Sequence, residues 1–167
     1  MESATPNSFD EFYQASRQRT LQCVYALTGD VAEAQDVVQD AYVRAWEHWA
    51  RVSTYDDPQA WVRTVALRQA VSRWRRARNR IAAHRRHGLA PPVPPPDEST
   101  VALVRALREL PAAQQVAVVM HHIGGFSVAD IAAQTGVAEG TVKARLSRGR
   151  QALARVLRLD VAEESHA

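Results

Sequence analysis

Cysteine is nearly absent from this 167-residue chain, and long apolar runs are absent altogether. The one cysteine, Cys23, can form neither an internal disulfide nor a four-ligand zinc site. No apolar run approaches the roughly 20 residues of a membrane helix, and the N-terminus lacks the basic-then-apolar pattern of a secretory signal. We therefore expect a soluble, cytoplasmic protein with no structural metal and no membrane insertion.

Lysine is also scarce, because Lys143 is accompanied by 20 arginines. The charges are segregated along the chain: residues 1–57 hold four arginines and ten acidic residues, residues 58–96 hold nine arginines and no acidic residue, and residues 97–167 hold eight of each sign. An acidic block beside a basic block predicts two surfaces with different partners, and basic surfaces are typical of proteins that bind phosphate backbones. A GC-rich genome would also favour arginine over lysine.

Proline is concentrated in one short segment, since five of the eight prolines lie between Pro91 and Pro96. Such a segment can continue neither a helix nor the interior of a sheet. The composition predicts a semi-rigid linker over residues 87–98. We expect it to join two separately folded domains, at residues 8–86 and 99–160.

Helical periodicity and capping signals dominate both halves, and no segment alternates with a period of two. The first half predicts three helices, with Ser8, Asp30 and Asp57 as N-caps and an irregular stretch from Val52 to Asp56. The second half predicts helices over about 100–110, 111–121, 127–135 and 139–157. The predicted fold class is all-α. We expect Cys23, Trp61 and Trp74 to be core residues.

Residues 126–146 have the pattern of a helix-turn-helix motif. Ala132 and Ala133 allow a second helix to cross closely, Gly136 permits a left-handed turn, and Val142 and Leu146 would bury the second helix. Six basic residues and no acidic residue follow between positions 141 and 158. The pattern predicts a DNA-binding motif, and the alternative is a helical hairpin with a solvated basic face.

Three segments of the chain resemble a known family. The residues Gly140-Thr-Val-Lys-Ala-Arg-Leu-Ser-Arg-Gly-Arg150 resemble the recognition helix of region 4 in sigma-70-type RNA polymerase sigma factors of the extracytoplasmic-function (ECF) group. Residues 34–46 resemble the region 2 helix that grips the clamp of core RNA polymerase, and residues 61–76 resemble the helix that meets the minus-10 promoter element. The resemblance covers about residues 9–157, in the order found in the family.

The resemblance implies three groups of binding residues. The core-polymerase contacts would be Asp36, Gln39, Asp40 and Val43, although periodicity alone also fits a solvated acidic face. The minus-10 contacts would be Arg68, Ser72, Arg75 and Arg76, with the loop 53–57 holding a flipped base. Arg68 and Ser72 stand where the group commonly has Asn and Asp, so the family's minus-10 base preference does not carry over.

The minus-35 contacts would lie on the helix that begins near Glu139. Side chains about one turn apart would face base edges in the major groove, whereas others would meet phosphates or pack. The expected base-reading residues are Lys143, Ala144, Ser147 and Arg148, and the expected phosphate or packing residues are Thr141, Arg145 and Arg150.

The implied function is that of a sigma factor that binds core RNA polymerase and directs promoter recognition, DNA melting and transcription initiation. Promoter DNA and core polymerase are the implied partners, and the ECF group leaves open an anti-sigma factor as a third. The alternative is an autonomous helix-turn-helix regulator, which would bind its operator alone and usually as a dimer. The net charge of −6 over residues 1–57 opposes unaided DNA binding.

No motif predicts an active site, a metal site or a cofactor. The chain has no phosphate loop, dinucleotide fingerprint or nucleophile motif. His121 and His122 are adjacent and would point in different directions on a helix. Glu33, Asp36 and Asp40 share one helix without partner carboxylates elsewhere. We therefore expect that the chain is not an enzyme.

Overall fold

The computed structural model describes residues 8–81 and 98–164, with side chains over 8–77 and 102–158. Helices and no strand occur in these ranges, which confirms the all-α prediction. The chain divides into two compact units at the boundary between His84 and Arg85. Residues 87–97 of the predicted linker lie outside the described residues.

Unit 1 is built from three long helices that each pack against the other two. They are α1 (Phe9–Thr28), α2 (Val31–Glu47) and α4 (Pro58–Ile81), and a single helical turn, α3 (Trp49–Val52), lies between the last two. The predicted N-caps are confirmed. The side-chain oxygens of Ser8, Asp30 and Asp57 accept hydrogen bonds from the amides of the third residue beyond, at 3.2, 2.9 and 2.8 Å.

Trp49 continues the 3- and 4-residue apolar spacing of α2, but that helix ends at Glu47, before His48. The backbone of His48 leaves the helical region (φ −114°, ψ 18°), and its Nδ1 lies 2.9 Å from the carbonyl oxygen of Arg44. The chain turns there, and the ring of Trp49 packs against that of Phe12 with centroids 4.9 Å apart. Tertiary aromatic packing has therefore replaced one turn of continuous helix.

The core of unit 1 combines aromatic rings with a buried hydroxyl network. The ring of Tyr42 lies 5.9 Å from that of Phe12, and its hydroxyl lies 2.7 Å from Ser16 Oγ and 3.2 Å from Thr20 Oγ1. Tyr42, Ser16 and Thr20 are all buried. Because buried polar groups are costly unless hydrogen-bonded, this network fixes the register of α1 against α2.

Unit 2 contains α5 (Glu98–Arg108), α6 (Ala112–Val118), α7 (Val128–Thr135) and α8 (Glu139–Glu164). The predicted helix over 111–121 does not continue in α geometry, because a π-helical segment, Val119–Ile123, follows α6 directly. Here the amide of Gly124 donates to the carbonyl of Val119 at 2.9 Å, a spacing of five residues. Helix α5 begins two residues earlier, and α8 ends later, than the sequence predicts.

Helix α8 approaches α6 at a glycine. A Cβ atom built on Gly149 would lie 2.6 Å from Cγ2 of the buried Val118, which is closer than any side chain allows. Val142 and Leu146 are buried on the same side of α8. The opposite side of this helix is therefore held outward by a close helix–helix contact that requires glycine.

Candidate interaction surfaces

The polar stripe predicted on α2 is exposed. Asp36, Gln39, Asp40 and Val43 all lie on its solvent side, whereas the buried side carries apolar residues. The buried set is Ala34, Val37, Val38, Ala41, Tyr42 and Ala45. Val43 is 48% exposed, so the stripe adds an apolar side chain to its carboxylates. We call these four residues the clamp stripe.

Trp46 extends the clamp stripe by one turn, and our sequence reasoning did not single it out as a site residue. It is 65% exposed, the largest exposure among the big apolar side chains of the described residues. A groove of about 350 Å³ runs beside it between α1 and α2, lined by Phe9, Asp10, Tyr13, Gln39, Tyr42, Val43 and Trp46. Trp46 follows Val43 by three positions and so falls on the polar side of α2. This spacing was the signal that could have identified Trp46 as a site residue.

Helix α4 carries the predicted minus-10 residues on its outer side. Arg68, Arg75 and Arg76 are exposed, and Ser72 is half-buried. We call these residues the basic face. The expectation that Trp61 and Trp74 are core residues holds only in part, because both are half-buried.

The loop before α4 is capped and packed. Asp57 caps the helix through the amide of Ala60, and the ring of Tyr55 lies 6.5 Å from that of Trp61. This loop therefore has a defined geometry at the end of the basic face.

An ion pair connects α2 to α4. Nη2 of Arg73 lies 2.8 Å from Oδ2 of Asp40, and the two side chains are 36% and 55% exposed. Glu33 lies on the same edge of α2. Burial raises the pKa of the Glu33 carboxyl, Asp30 raises it further, and the nearby Arg73 offsets part of the shift. Arg73 is thus held among carboxylates of α2.

Helices α7 and α8 form the predicted helix-turn-helix geometry. Ser127 and Asp130 make a reciprocal capping box at the start of α7, and Gly136 ends that helix in the left-handed region (φ 71°). Helix α8 then begins at Glu139. Glycine adopts a positive φ without steric cost, and Gly136 stands where the turn needs that conformation.

The predicted minus-35 residues lie around α8 outside its buried residues, and Arg145 borders the buried side. Five of them are exposed and two are half-buried. The exposed residues are Thr141, Lys143, Ser147, Arg148 and Arg150, and the half-buried ones are Ala144 and Arg145. The arrangement presents a row of basic and small side chains outward, which suits entry into a DNA major groove.

His121 lies within hydrogen-bonding distance of the backbone, and Cys23 is half-buried. Nδ1 of His121 lies 2.8 Å from the carbonyl oxygen of Phe126, so a proton on Nδ1 can tie the π-helical segment to the start of the helix-turn-helix. Burial raises the pKa of the half-buried Cys23 thiol, which disfavours the nucleophilic thiolate. Within the described part of the chain, no three His, Cys, Asp or Glu side chains are grouped to hold a metal ion.

Comparison with known proteins identifies the chain's family. The model of sigma-70 region 2 matches residues 12–80, and the model of sigma-70 region 4 matches residues 100–153. The ECF RNA polymerase sigma factor SigL of Mycobacterium tuberculosis is 38% identical over 134 residues, which cover 76% of each chain. The chain belongs to the ECF RNA polymerase sigma factors. It is a sigma factor that directs transcription initiation.

Other relatives agree with this assignment. SigM of Mycobacterium tuberculosis is 36% identical to this sigma factor over 157 residues, covering 90% of this chain and 77% of SigM. The sigma factor RpoE of Bartonella quintana, solved in complex with the anti-sigma factor NepR, has a similar fold. Its TM-score is 0.57 at 26% identity, over 91% of this chain and 98% of that one. Within residues 8–81 and 98–164 of this sigma factor, every helix is too short or too polar to span a bilayer.

Proposed function

We propose that unit 1 of this sigma factor binds core RNA polymerase through the clamp stripe and Trp46. The observation that carries the proposal is the 65% exposure of Trp46 beside the groove between α1 and α2. Large aromatic side chains dominate the binding energy of protein interfaces when a partner buries them. The carboxylates of Asp36 and Asp40 beside it favour a partner helix with basic side chains.

We propose that the basic face of α4 binds the minus-10 element as it is melted. Basic grooves hold single-stranded DNA by its phosphates, and arginine planes stack on exposed bases. The defined loop before α4 supports a role in receiving a base that has left the stack. Arg68 and Ser72 would give this factor its own minus-10 preference.

We propose that α8 reads the minus-35 element in the major groove. Arg148 can bind guanine with two hydrogen bonds, whereas Arg150 would contact a phosphate. Ala144 and Ser147 are small, and they would let the helix approach the base edges closely. The Gly149 contact supports this role because it holds α8 close against α6 within unit 2.

The remaining partners and the place of action follow from the same proposal. The factor would act in the cytoplasm, where it would lend specificity to a polymerase that performs all the chemistry, so the chain itself would not be an enzyme. An anti-sigma factor is a further proposed partner, since the similar RpoE of Bartonella quintana was solved with one. An autonomous regulator, the alternative, would not need an exposed aromatic groove in an acidic segment.

A pair of variants separates the two proposed interfaces. In titrations against core polymerase, Trp46→Ala should lower affinity by about 2 kcal/mol or more, because an interface anchor is lost. Arg148→Ala should bind core polymerase normally, but it should weaken holoenzyme binding to the cognate promoter by about 1–3 kcal/mol and relax preference at one base pair. Gln18→Ala, an exposed change on α1 outside the groove, is the control.

The assignment of these surfaces is wrong if Trp46→Ala binds core polymerase as tightly as Gln18→Ala does. On a promoter library randomised at minus-35, an equal loss across all sequences would make Arg148 a backbone contact. Tight, dimeric promoter binding by the chain without polymerase would favour the autonomous regulator instead.

A further inference from the structure

The ion pair between Asp40 and Arg73 lies where two proposed surfaces meet. Asp40 belongs to the clamp stripe of α2, and Arg73 directly follows Ser72 on α4. The two residues are 33 positions apart in sequence, and their charged atoms are 2.8 Å apart. The carboxylate of Asp40 therefore lies on the surface proposed to bind polymerase. The guanidinium of Arg73 lies beside the surface proposed to bind DNA.

The surroundings of Arg73 favour this arrangement in the free protein. Glu33 precedes Asp40 by seven residues, or about two helical turns, so both carboxylates lie on the edge of α2 that faces α4. Arg73 forms an ion pair with Asp40, and its positive charge offsets part of the rise that burial causes in the pKa of Glu33. A guanidinium that is neutralised by carboxylates contributes little to the attraction of phosphate groups.

We propose that the Asp40–Arg73 ion pair is a latch that core polymerase opens. In the free chain, the pair holds Arg73 against α2 and away from DNA. When polymerase engages the clamp stripe, the carboxylate of Asp40 turns to its new partner and Arg73 becomes free to bind a phosphate. The latch rests on the proposed function of the clamp stripe and the basic face, and it makes DNA binding by unit 1 stronger once polymerase is bound.

The exposure of the pair limits the size of the effect. Ion pairs between partly exposed side chains are screened by water and salt and are individually weak. Opening the latch should therefore change DNA affinity by about 2- to 5-fold. It should also steepen the salt dependence, because each added phosphate contact contributes about 0.7 to the slope for single-stranded DNA.

A double-mutant cycle on the full-length chain without polymerase tests the latch. The probe is a fluorescent 20-nucleotide oligo-dT, titrated at low salt and followed by anisotropy, since a sequence-neutral strand reports phosphate contacts. Asp40→Asn should raise affinity about 2- to 5-fold. Arg73→Gln should have little effect alone but should abolish that gain when combined with Asp40→Asn.

A matched control removes the general effect of losing a negative charge. Glu47 is exposed, lies seven residues after Asp40 and so occupies the same edge of α2, and it is outside the clamp stripe. Glu47→Gln should raise affinity less than Asp40→Asn does. Equal gains from the two variants would overturn the latch, as would an equal loss from Arg73→Gln in both backgrounds.

Arg76→Gln distinguishes failure of the latch from failure of the proposed function. Arg76 is exposed on the basic face. The Arg76→Gln variant should therefore lower affinity for the oligonucleotide in every background. If Arg76→Gln lowers affinity while Asp40→Asn and Arg73→Gln act additively, the latch is wrong and the basic face stands. If Arg76→Gln has no effect, the assignment of the basic face is wrong and the latch falls with it.

Discussion

The two units fix their helices by opposite means. In unit 1, large rings separate the helices, and Tyr42 adds hydrogen bonds to Ser16 and Thr20 across the α1–α2 contact. In unit 2, Gly149 lets α8 touch α6 at Val118 with no room for another carbon atom. Unit 1 should therefore be sensitive to the removal of atoms, and unit 2 to their addition.

The units also differ in how they would divide their work. Unit 1 has two proposed binding surfaces on neighbouring helices, joined by the ion pair between Asp40 and Arg73. Unit 2 carries its proposed DNA-reading side chains on α8, whose buried side is occupied by packing. In unit 1, a local contact can thus couple polymerase binding to DNA binding. In unit 2, packing holds the helix proposed to read the bases in one position.

The largest expected effect comes from Phe12→Ala, which removes a ring from the core of unit 1. Phe12 is 4% exposed and contacts Tyr42 and Trp49, so the change should cost about 3–5 kcal/mol. All four tryptophans lie between positions 46 and 74, so tryptophan fluorescence reports unit 1 alone. Fluorescence should show an unfolded unit 1 while circular dichroism retains a helical signal from unit 2.

Phe126→Ala is the counterpart in unit 2, where Phe126 is 6% exposed. It should lower the helical signal without changing tryptophan fluorescence. If either variant unfolds both units in one transition, the units do not fold independently.

An intermediate effect is expected at the close contact of α6 and α8. Gly149→Ala should destabilise unit 2 by about 1–2 kcal/mol, because overpacking costs about 1–3 kcal/mol and the helix propensity of alanine returns up to about 1 kcal/mol. Gly140→Ala makes the same change on the same helix where no atom lies within 4 Å, and it should leave stability unchanged or raise it. Thermal unfolding followed by circular dichroism compares the two, and equal midpoints would contradict the close contact.

The smallest effect concerns the half-buried carboxyl of Glu33. Burial raises its pKa in the folded state, so the folded protein binds its proton more tightly than the unfolded chain does. Stability therefore falls as the pH rises from the ordinary pKa of 4.5 through the raised folded value, and the penalty persists at neutral pH.

Glu33→Gln should remove that penalty. The unfolding midpoint of unit 1 at pH 7 should rise by at most about 2 °C, since solvent screens a partly exposed carboxylate. Below pH 4 the difference from the original chain should vanish. Glu109→Gln, an exposed change in unit 2, is the control, and a difference at pH 7 that persists below pH 4 would assign the effect to packing rather than to ionisation.

Local signals were sufficient to predict most of the fold. Caps at Ser8, Asp30 and Asp57, together with the turn at Gly136, specify helix ends within a few residues of sequence, and the structure contains them. The break at His48 accompanies the packing of Trp49 against the distant Phe12, which periodicity does not encode. The apolar pattern also did not predict the π-helical segment.

The same distinction applies to the candidate surfaces. Helical spacing was enough to predict that the clamp stripe and the outer side of α8 are exposed. It could not reveal that Asp40 meets Arg73, because 33 residues separate them, nor that Trp46 lies open beside a groove formed with α1. The binding roles of these residues remain predictions, as does the linker over residues 87–98.

Because nearly all basic residues of the chain are arginines, α8 carries its single lysine. Lys143 is the one lysine in the chain, and its side chain is exposed among arginines on the outer side of that helix. Guanidinium groups remain protonated at ordinary pH and are poor nucleophiles, whereas a lysine amine reacts with acylating reagents in its neutral form. Lysine acylation therefore marks a single side-chain position on the helix proposed to read the minus-35 element. Footprinting at that one amine follows promoter engagement without any engineered residue.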